Sequence, residues 1–189
     1  MSDLFLGTDG VARCGWVAAA PEFVAYHDDE WGRPEHDDDR LFEKLSLEGF
    51  QSGLSWRTIL AKRENFRAAF AGFRIREVAA FGPDAVDRLL GDAGIVRHRG
   101  KIEAVLNNAR CAADLLDGDG AGALAAFVWD YAPEATPAEP ELRSTSPESV
   151  ALSKELKRQG WRFVGPTTVY AFMQAMGLVN DHAPGCAFR

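Results

Sequence analysis

Ser153-Lys154-Glu155-Leu156-Lys157-Arg158-Gln159-Gly160-Trp161-Arg162-Phe163-Val164-Gly165-Pro166-Thr167-Thr168-Val169-Tyr170 is the stretch on which the fold turns. Gly160 reads as a helix stop, Val164-Gly165 as a short turn, and Pro166 as the opening turn of a new helix with small hydroxyl residues beside it. The spacing predicts a helix, a hairpin and a second helix. Such a turn exposes backbone N–H groups at a helix N-terminus, and these bind phosphate without side-chain charge. A plain pair of packed helices would carry the same signature, so the stretch alone leaves both readings open.

Outward from this hairpin the apolar spacing stays helical. Leu41, Phe42, Leu45 and then Ile59, Leu60, Phe66, Phe70 recur at three, four and seven, and further helical windows cover 75–90, 99–116, 121–131, 149–159 and 167–176. Alternating strand patterns are scarce, and 132–149, with four prolines, reads as a loop. The expectation is an all-α domain of about seven or eight helices. A length of 189 residues, 47% hydrophobic and 26% charged, suits one packed core and excludes disorder, collagen and coiled coil. Three cysteines are too few and too odd for a disulfide framework, so a reducing, cytoplasmic setting is expected. No apolar run approaches the roughly 20 residues that cross a bilayer, so no membrane partner is expected, and the chain is read as a monomer.

A net charge of −7 argues against nucleic acid at first sight. Its distribution weakens the objection. Residues 27–48 hold nine acidic against three basic side chains, and 114–148 hold eight against one. Residues 57–76, 97–110 and 154–162 hold six, four and four basic residues, each against a single glutamate, enough for a positive face or merely for a solvated surface.

Three sets of residues carry candidate chemistry. Cys14 and His27 lie near one end of the chain, His182 and Cys186 near the other; two Cys and two His would satisfy a tetrahedral structural Zn²⁺ and staple the two ends together. Two ordinary histidines and two unrelated cysteines would look the same. Trp16, Tyr26, Trp31 and Trp56 crowd into polar surroundings, which suits either a pocket for a flat cationic ring or plugs in a helical core. Glu48 stands among apolar and small residues near a helix end, where burying a carboxylate is costly unless a ligand, or an arginine such as Arg57, meets it.

Taken together the chain resembles the 3-methyladenine DNA glycosylase I family of the helix-hairpin-helix DNA repair superfamily. The likeness covers 13–186. It rests on Arg13-Cys14-Gly15-Trp16-Val17, Ala25-Tyr26-His27-Asp28-Asp29-Glu30-Trp31-Gly32, Leu47-Glu48-Gly49 with Gly53-Leu54-Ser55-Trp56, Lys62-Arg63-Glu64-Asn65, Asp92-Ala93-Gly94-Ile95-Val96-Arg97-His98-Arg99-Gly100-Lys101-Ile102, Phe163-Val164-Gly165 and Gly177-Leu178-Val179-Asn180-Asp181-His182.

The resemblance implies a single all-α glycosylase domain over 13–189, behind a flexible tail at 1–12, that hydrolyses the N-glycosidic bond of 3-methyladenine in double-stranded alkylated DNA. Free 3-methyladenine is then the product, and an abasic site remains. Cys14, His27, His182 and Cys186 match the family's zinc ligands. Glu48 matches the carboxylate that holds the damaged base and is the candidate catalytic residue; Trp56 matches the ring that stacks on the base, and Tyr26 a further contact. Trp16 and Trp31 are expected to complete the aromatic wall. Leu54 matches the apolar residue that fills the gap in the duplex, and Val164-Gly165 the hairpin that grips the backbone. Val169 stands where bifunctional relatives carry a lysine, Asn180 where many carry an aspartate, and Thr167 where a second hairpin glycine is usual. A monofunctional enzyme without lyase activity is expected. Two other classes fit parts of the pattern: a zinc-stapled DNA-binding module without catalysis, which would have no use for Glu48, Tyr26 and Trp56 together, and a free nucleobase or nucleoside hydrolase, which would have none for the hairpin or Leu54.

Overall fold

Three consecutive aspartates start three different helices. In the computed structural model, which describes residues 4–134 and 143–189, the chain begins with an antiparallel pair, β1 (Leu4–Leu6) and β2 (Ala12–Cys14), and continues as α1 (Phe23–Asp29), α2 (Asp38–Gln51), α3 (Trp56–Ala61), α4 (Arg63–Ala69), α5 (Ile75–Ala79), α6 (Ala85–Gly91), α7 (Arg99–Asp119), α8 (Ala123–Trp129), α9 (Pro147–Arg158) and α10 (Pro166–Ala175). Asp37 caps α2 by accepting the Arg40 N–H at 2.9 Å. Asp38 accepts the N–H groups of Gly122 and Ala125 at the start of α8, at 2.7 and 2.8 Å, and Asp39 accepts that of Ile75 at the start of α5, at 2.8 Å. Part of the acidic block at 27–48 is thus helix capping, where carboxylates also suit the positive end of the helix dipole.

Helix α2 is the axis of the molecule. It contacts α3, α5, α7, α8 and α10, and every residue from Leu41 to Phe50 is buried. Its apolar side chains join a continuous core with Phe66, Phe70, Phe73, Leu89, Ile102, Leu156 and Phe172. A helix buried all round would ordinarily be apolar all round; this one also buries Glu43, Lys44, Ser46 and Glu48. Burying that many polar side chains is costly unless each finds a partner.

Helices α9 and α10 pack against each other, joined by a turn. Ser146 and Ser149 form a reciprocal capping box at the start of α9, Gly160 passes through positive φ (89°), and Pro166 occupies the first turn of α10.

The mostly helical architecture accords with the expected all-α class. Among the described residues there are ten α-helices rather than seven or eight, because short apolar windows break at their glycines: 75–90 divides into α5 and α6 around Gly82-Pro83. Within the stretch expected as a tail at 1–12, Leu4–Leu6 pairs with Ala12–Cys14; Met1 to Asp3 lie outside the described residues. The loop expected at 132–149 is likewise shortened, since α9 begins at Pro147, and 135–142 lie outside the described residues. No helix among the described residues is long and apolar enough to cross a membrane.

Candidate functional site

The buried polar side chains of α2 meet the aromatic residues of α1 and α3. Glu48 is 6% exposed, and its Oε1 lies 2.8 Å from the ammonium of Lys44, one helical turn earlier. That ammonium donates to the Tyr26 hydroxyl at 2.7 Å and sits 3.3 Å from the centre of the Trp56 ring and 4.9 Å from that of Tyr26. The Tyr26 and Trp56 rings are 5.2 Å apart. Glu48, Tyr26 and Trp56, predicted separately from the sequence, are therefore one constellation. Its fourth member, Lys44, was not among the predicted residues. The expected alternative partner Arg57 instead pairs with Glu22 at 2.6 Å, out at the surface.

Burial drives the Lys44 ammonium below the ordinary lysine value, against the pull of Glu48. The same burial, with the Glu48 charge added, holds the Tyr26 phenol well above its usual range, so it stays protonated. Lys44, Tyr26 and Trp56 wall one end of a cavity of about 270 Å³, and Glu48 is not on its wall. The bidentate Glu30–Arg63 pair, at 2.6 and 2.9 Å, and Glu43, held by Arg40 and Arg67, form other parts of it. The Trp56 Nε1 donor is buried without a hydrogen-bond partner among the described residues.

Trp16 and Trp31 are placed differently from the expected aromatic wall. Neither lines this cavity; Trp16 meets Trp31 edge-on at 5.2 Å and the His27 ring at 5.3 Å, and Trp31 meets His182 at 4.7 Å. Towards the pocket, Trp16 meets Tyr26, ring centres 6.3 Å apart. These two rings connect the pocket to a second cluster.

That cluster comprises Cys14, His27, His182 and Cys186, all buried, whose donor atoms lie within 4.8 Å of one another and could hold a metal ion. Cys186 Sγ is 3.5 Å from His27 Nε2 and 3.5 Å from His182 Nδ1, while Cys14 Sγ is 3.6 Å from His182 Nδ1. His27 Nδ1 is 2.8 Å from the Asp28 carboxylate, which Arg13 holds in turn at 2.7 Å, so Nε2 is left facing the sulfurs. The Ala183 N–H lies 3.2 Å from Cys14 Sγ. Without a cation, burial pushes the Cys14 thiol up to about 12, and burial with the neighbouring His27 takes His182 down to about 4. Gly32, at φ 79°, closes over this cluster, where a Cβ would stand 2.6 Å from His182 Nε2.

Two turns and the start of α7 form a third region. Leu54 stands 44% exposed in the turn between α2 and α3. The Lys101 ammonium donates to the carbonyls of Phe50 and Ser52, tying α7 to that turn. Asn108 binds the backbone of Arg162 on both sides, at 2.8 and 2.9 Å, and His98 approaches the exposed Phe163 ring, so α7 also holds the α9–α10 turn. Val164 is buried, and its carbonyl accepts the Ser153 hydroxyl at 2.6 Å, while a Cβ on Gly165 would meet nothing within 4 Å. Asp181 is held by the Tyr170 hydroxyl at 2.6 Å and by Gln174 at 2.8 Å, and Val169 is fully buried.

Comparison with known proteins gives one consistent answer. A family model described as methyladenine glycosylase matches residues 16–189. A relative from Escherichia coli (strain K12), DNA-3-methyladenine glycosylase 1, is 51% identical over 179 residues, covering 92% of this chain and 95% of its own. A DNA-3-methyladenine glycosylase from Haemophilus influenzae is 43% identical over 186 residues, covering 92% and 96%. Among solved structures, a 3-methyladenine DNA glycosylase I superposes with a TM-score of 0.86 at 46% identity, covering 93% of this chain and 98% of that one. A Staphylococcus aureus 3-methyladenine DNA glycosylase I, solved to show 3-methyladenine recognition, reaches 0.82 at 35% identity, covering 89% and 91%.

Proposed function

The chain belongs to the methyladenine glycosylase family, and from that membership we propose that it is a monofunctional DNA glycosylase that releases 3-methyladenine from alkylated duplex DNA. The observation that carries the reading is the buried Glu48 carboxylate meeting a cation over the Trp56 face. A site that holds an ammonium on an aromatic ring beside a carboxylate has the chemistry to hold a cationic purine.

Methylation at N3 makes the attached base positive. When the C1′–N9 bond breaks, its electron pair returns to the ring and the base leaves neutral; water adds to C1′ and loses a proton to solvent. Little proton donation to the leaving group is needed, so recognition supplies much of the catalysis. Glu48 would accept from the exocyclic amine or a ring N–H and favour the charged ring over normal adenine, with Trp56 stacked on its face and Tyr26 beside it. Trp16 and Trp31, packed on the imidazoles, would brace this wall from behind.

The base reaches the pocket only after leaving the duplex, at a cost of a few kcal/mol. Leu54 is exposed on a turn that Lys101 anchors, which suits an apolar side chain filling the vacated stack. The α9–α10 pair would act as a helix-hairpin-helix, gripping phosphate through the backbone at Gly165 rather than through the buried Val164 side chain. Val169 offers no amine to attack the sugar, which supports hydrolysis without strand cleavage.

The four clustered ligands fit a structural zinc. Around a tetrahedral ion with bonds of about 2.3 Å to sulfur and about 2.0–2.1 Å to nitrogen, each sulfur–nitrogen edge comes to roughly 3.5 Å; the two edges from Cys186 and the one from Cys14 to His182 are 3.5 to 3.6 Å. The Asp28 carboxylate on His27 is the outer support such ligands use. Bound there, the ion would clip the β2 end of the chain to its C-terminal segment; no step of the reaction involves it.

Incubating methylated duplex with the wild type and with Glu48→Gln, and measuring released 3-methyladenine and strand integrity, tests the reading. Release by the wild type with an intact strand and a large loss in the variant are expected. A pure binding module would release nothing, and a nucleoside hydrolase would prefer the monomer.

A further inference from the structure

In the constellation of Glu48, Tyr26, Trp56 and Lys44, only Lys44 has no part in the proposed reaction, yet it touches the other three. An atom 3.3 Å above the Trp56 ring centre occupies the layer that a stacked base would take, since apolar atoms settle about 3.5–4.0 Å apart. Two of its three ammonium donors are already engaged, by Glu48 at 2.8 Å and by the Tyr26 hydroxyl at 2.7 Å. Lysine and purine therefore exclude each other from the same ring face and the same carboxylate. We propose that the Lys44 ammonium is the resident occupant of the base site, displaced when a cationic purine enters and returning to expel the purine once cleavage has made it neutral.

The proposal deepens the glycosylase reading above and rests on it. A charged ring brings its own positive charge to Glu48, so its entry exchanges one cation for another. A neutral ring leaves the buried carboxylate without a cation, which is unfavourable, and the ammonium can reclaim it. The displaced side chain has room. Its stem rises from α2 beside the 270 Å³ cavity, whose wall also carries Asp29, Glu30, Glu35 and Glu43.

Nuclear magnetic resonance of the full-length wild type titrated with free 3-methyladenine tests the exchange directly. The Lys44 ε-methylene signals, shifted upfield over Trp56, are expected to move to ordinary solvated lysine positions as the base saturates. Lys44→Met removes the competitor at similar length, and free 3-methyladenine should then bind and inhibit at least tenfold more tightly, while Lys44→Arg stays within threefold of the wild type. Lys44 signals that remain upfield at saturation, or a folded Lys44→Met variant whose affinity lies within twofold of the wild type, would overturn the proposal. Failure of the wild type to release 3-methyladenine from methylated duplex would instead overturn the reading beneath it.

Discussion

At the scale of single residues, the pocket is built from side chains whose burial would be unfavourable one by one and becomes tolerable only together. Glu48 could be singled out in the sequence because a carboxylate among Leu47, Gly49 and Phe50 calls for an explanation. Lys44 could not, because a lysine in mid-helix reads as a solvated surface residue; the signal that identifies it is its place four residues before Glu48, where the two side chains share a helix face. Trp16 and Trp31 were expected on the wall of the base site and instead pack on the imidazoles, since nothing in spacing tells which side of a ring is covered. The stacking role of Trp56 gives a prediction at this scale. Base–aromatic stacking contributes about 1–3 kcal/mol, so Trp56→Ala should raise KM for methylated duplex by about five- to 150-fold, and Trp56→Phe should keep most of the affinity. Steady-state kinetics of base release would show it, and equal KM values for Trp56→Ala and wild type would remove the ring from the base site.

Among elements, the ends of the chain depend on tertiary clips, while the helices carry their own start signals. Those signals were legible: Gly160, Pro166 and the apolar periods place α7, α9 and α10 to within a few residues. The pairing of Leu4–Leu6 with Ala12–Cys14 was not, because three-residue strands hold no pattern and exist here beside the Cys–His cluster. Removing metal with a chelator should loosen β1, β2 and the segment after α10 first, seen as faster amide exchange there than in α2 or α7. The metal-stripped chain should also be acid-sensitive in a defined window. His182 takes its proton near 4 in the folded chain and near 6.5 when unfolded, so the unfolded state binds more protons between those values and stability falls as pH drops from about 6.5 to 4. Chemical denaturation at pH 7, 5.5 and 4.5 measures it, and a midpoint that stays constant would contradict it. Gly177 ties the same region from the other side. At φ 77° its Cβ would meet the backbone nitrogen of Pro34 at 2.5 Å, and neither chain can give way cheaply. Gly177→Ala should therefore cost about 1–3 kcal/mol of stability, read as a lowered Tm, with the metal still bound.

For the whole molecule, the question is how a chain of net charge −7 holds a polyanion. The basic stretches seen in the sequence are less available than their counts suggest, because Arg57, Arg63, Arg67, Arg74, Arg76, Arg99 and Arg158 are ion-paired with carboxylates. Spacing offers Glu77 to Arg74 and Glu155 to Arg158, three residues away, but not Glu22, Glu30, Glu43 or Asp117, which come from distant segments. Among the described residues, exposed cations without an ion pair include Arg97, just before α7, Arg110, midway along α7 and lining one cleft with Arg162, and Lys154, Lys157 and Arg162 in α9 and the turn after it. Acid is spent on capping and pairing elsewhere, which leaves a local positive surface around the turn while the total stays negative. If these side chains meet phosphates, each releases counterions, and the logarithm of the DNA affinity should fall with the logarithm of salt concentration at a slope of about −0.9 per contact. Lys154→Ala, Lys157→Ala and Arg162→Ala should each weaken binding similarly on methylated and unmethylated duplex and flatten that slope by about one. Arg74→Ala, whose guanidinium is already held by Glu77, should leave the slope unchanged. Fluorescence anisotropy over a salt series distinguishes the two groups, and a slope altered by Arg74→Ala but not by Lys157→Ala would place the DNA on another face of the molecule.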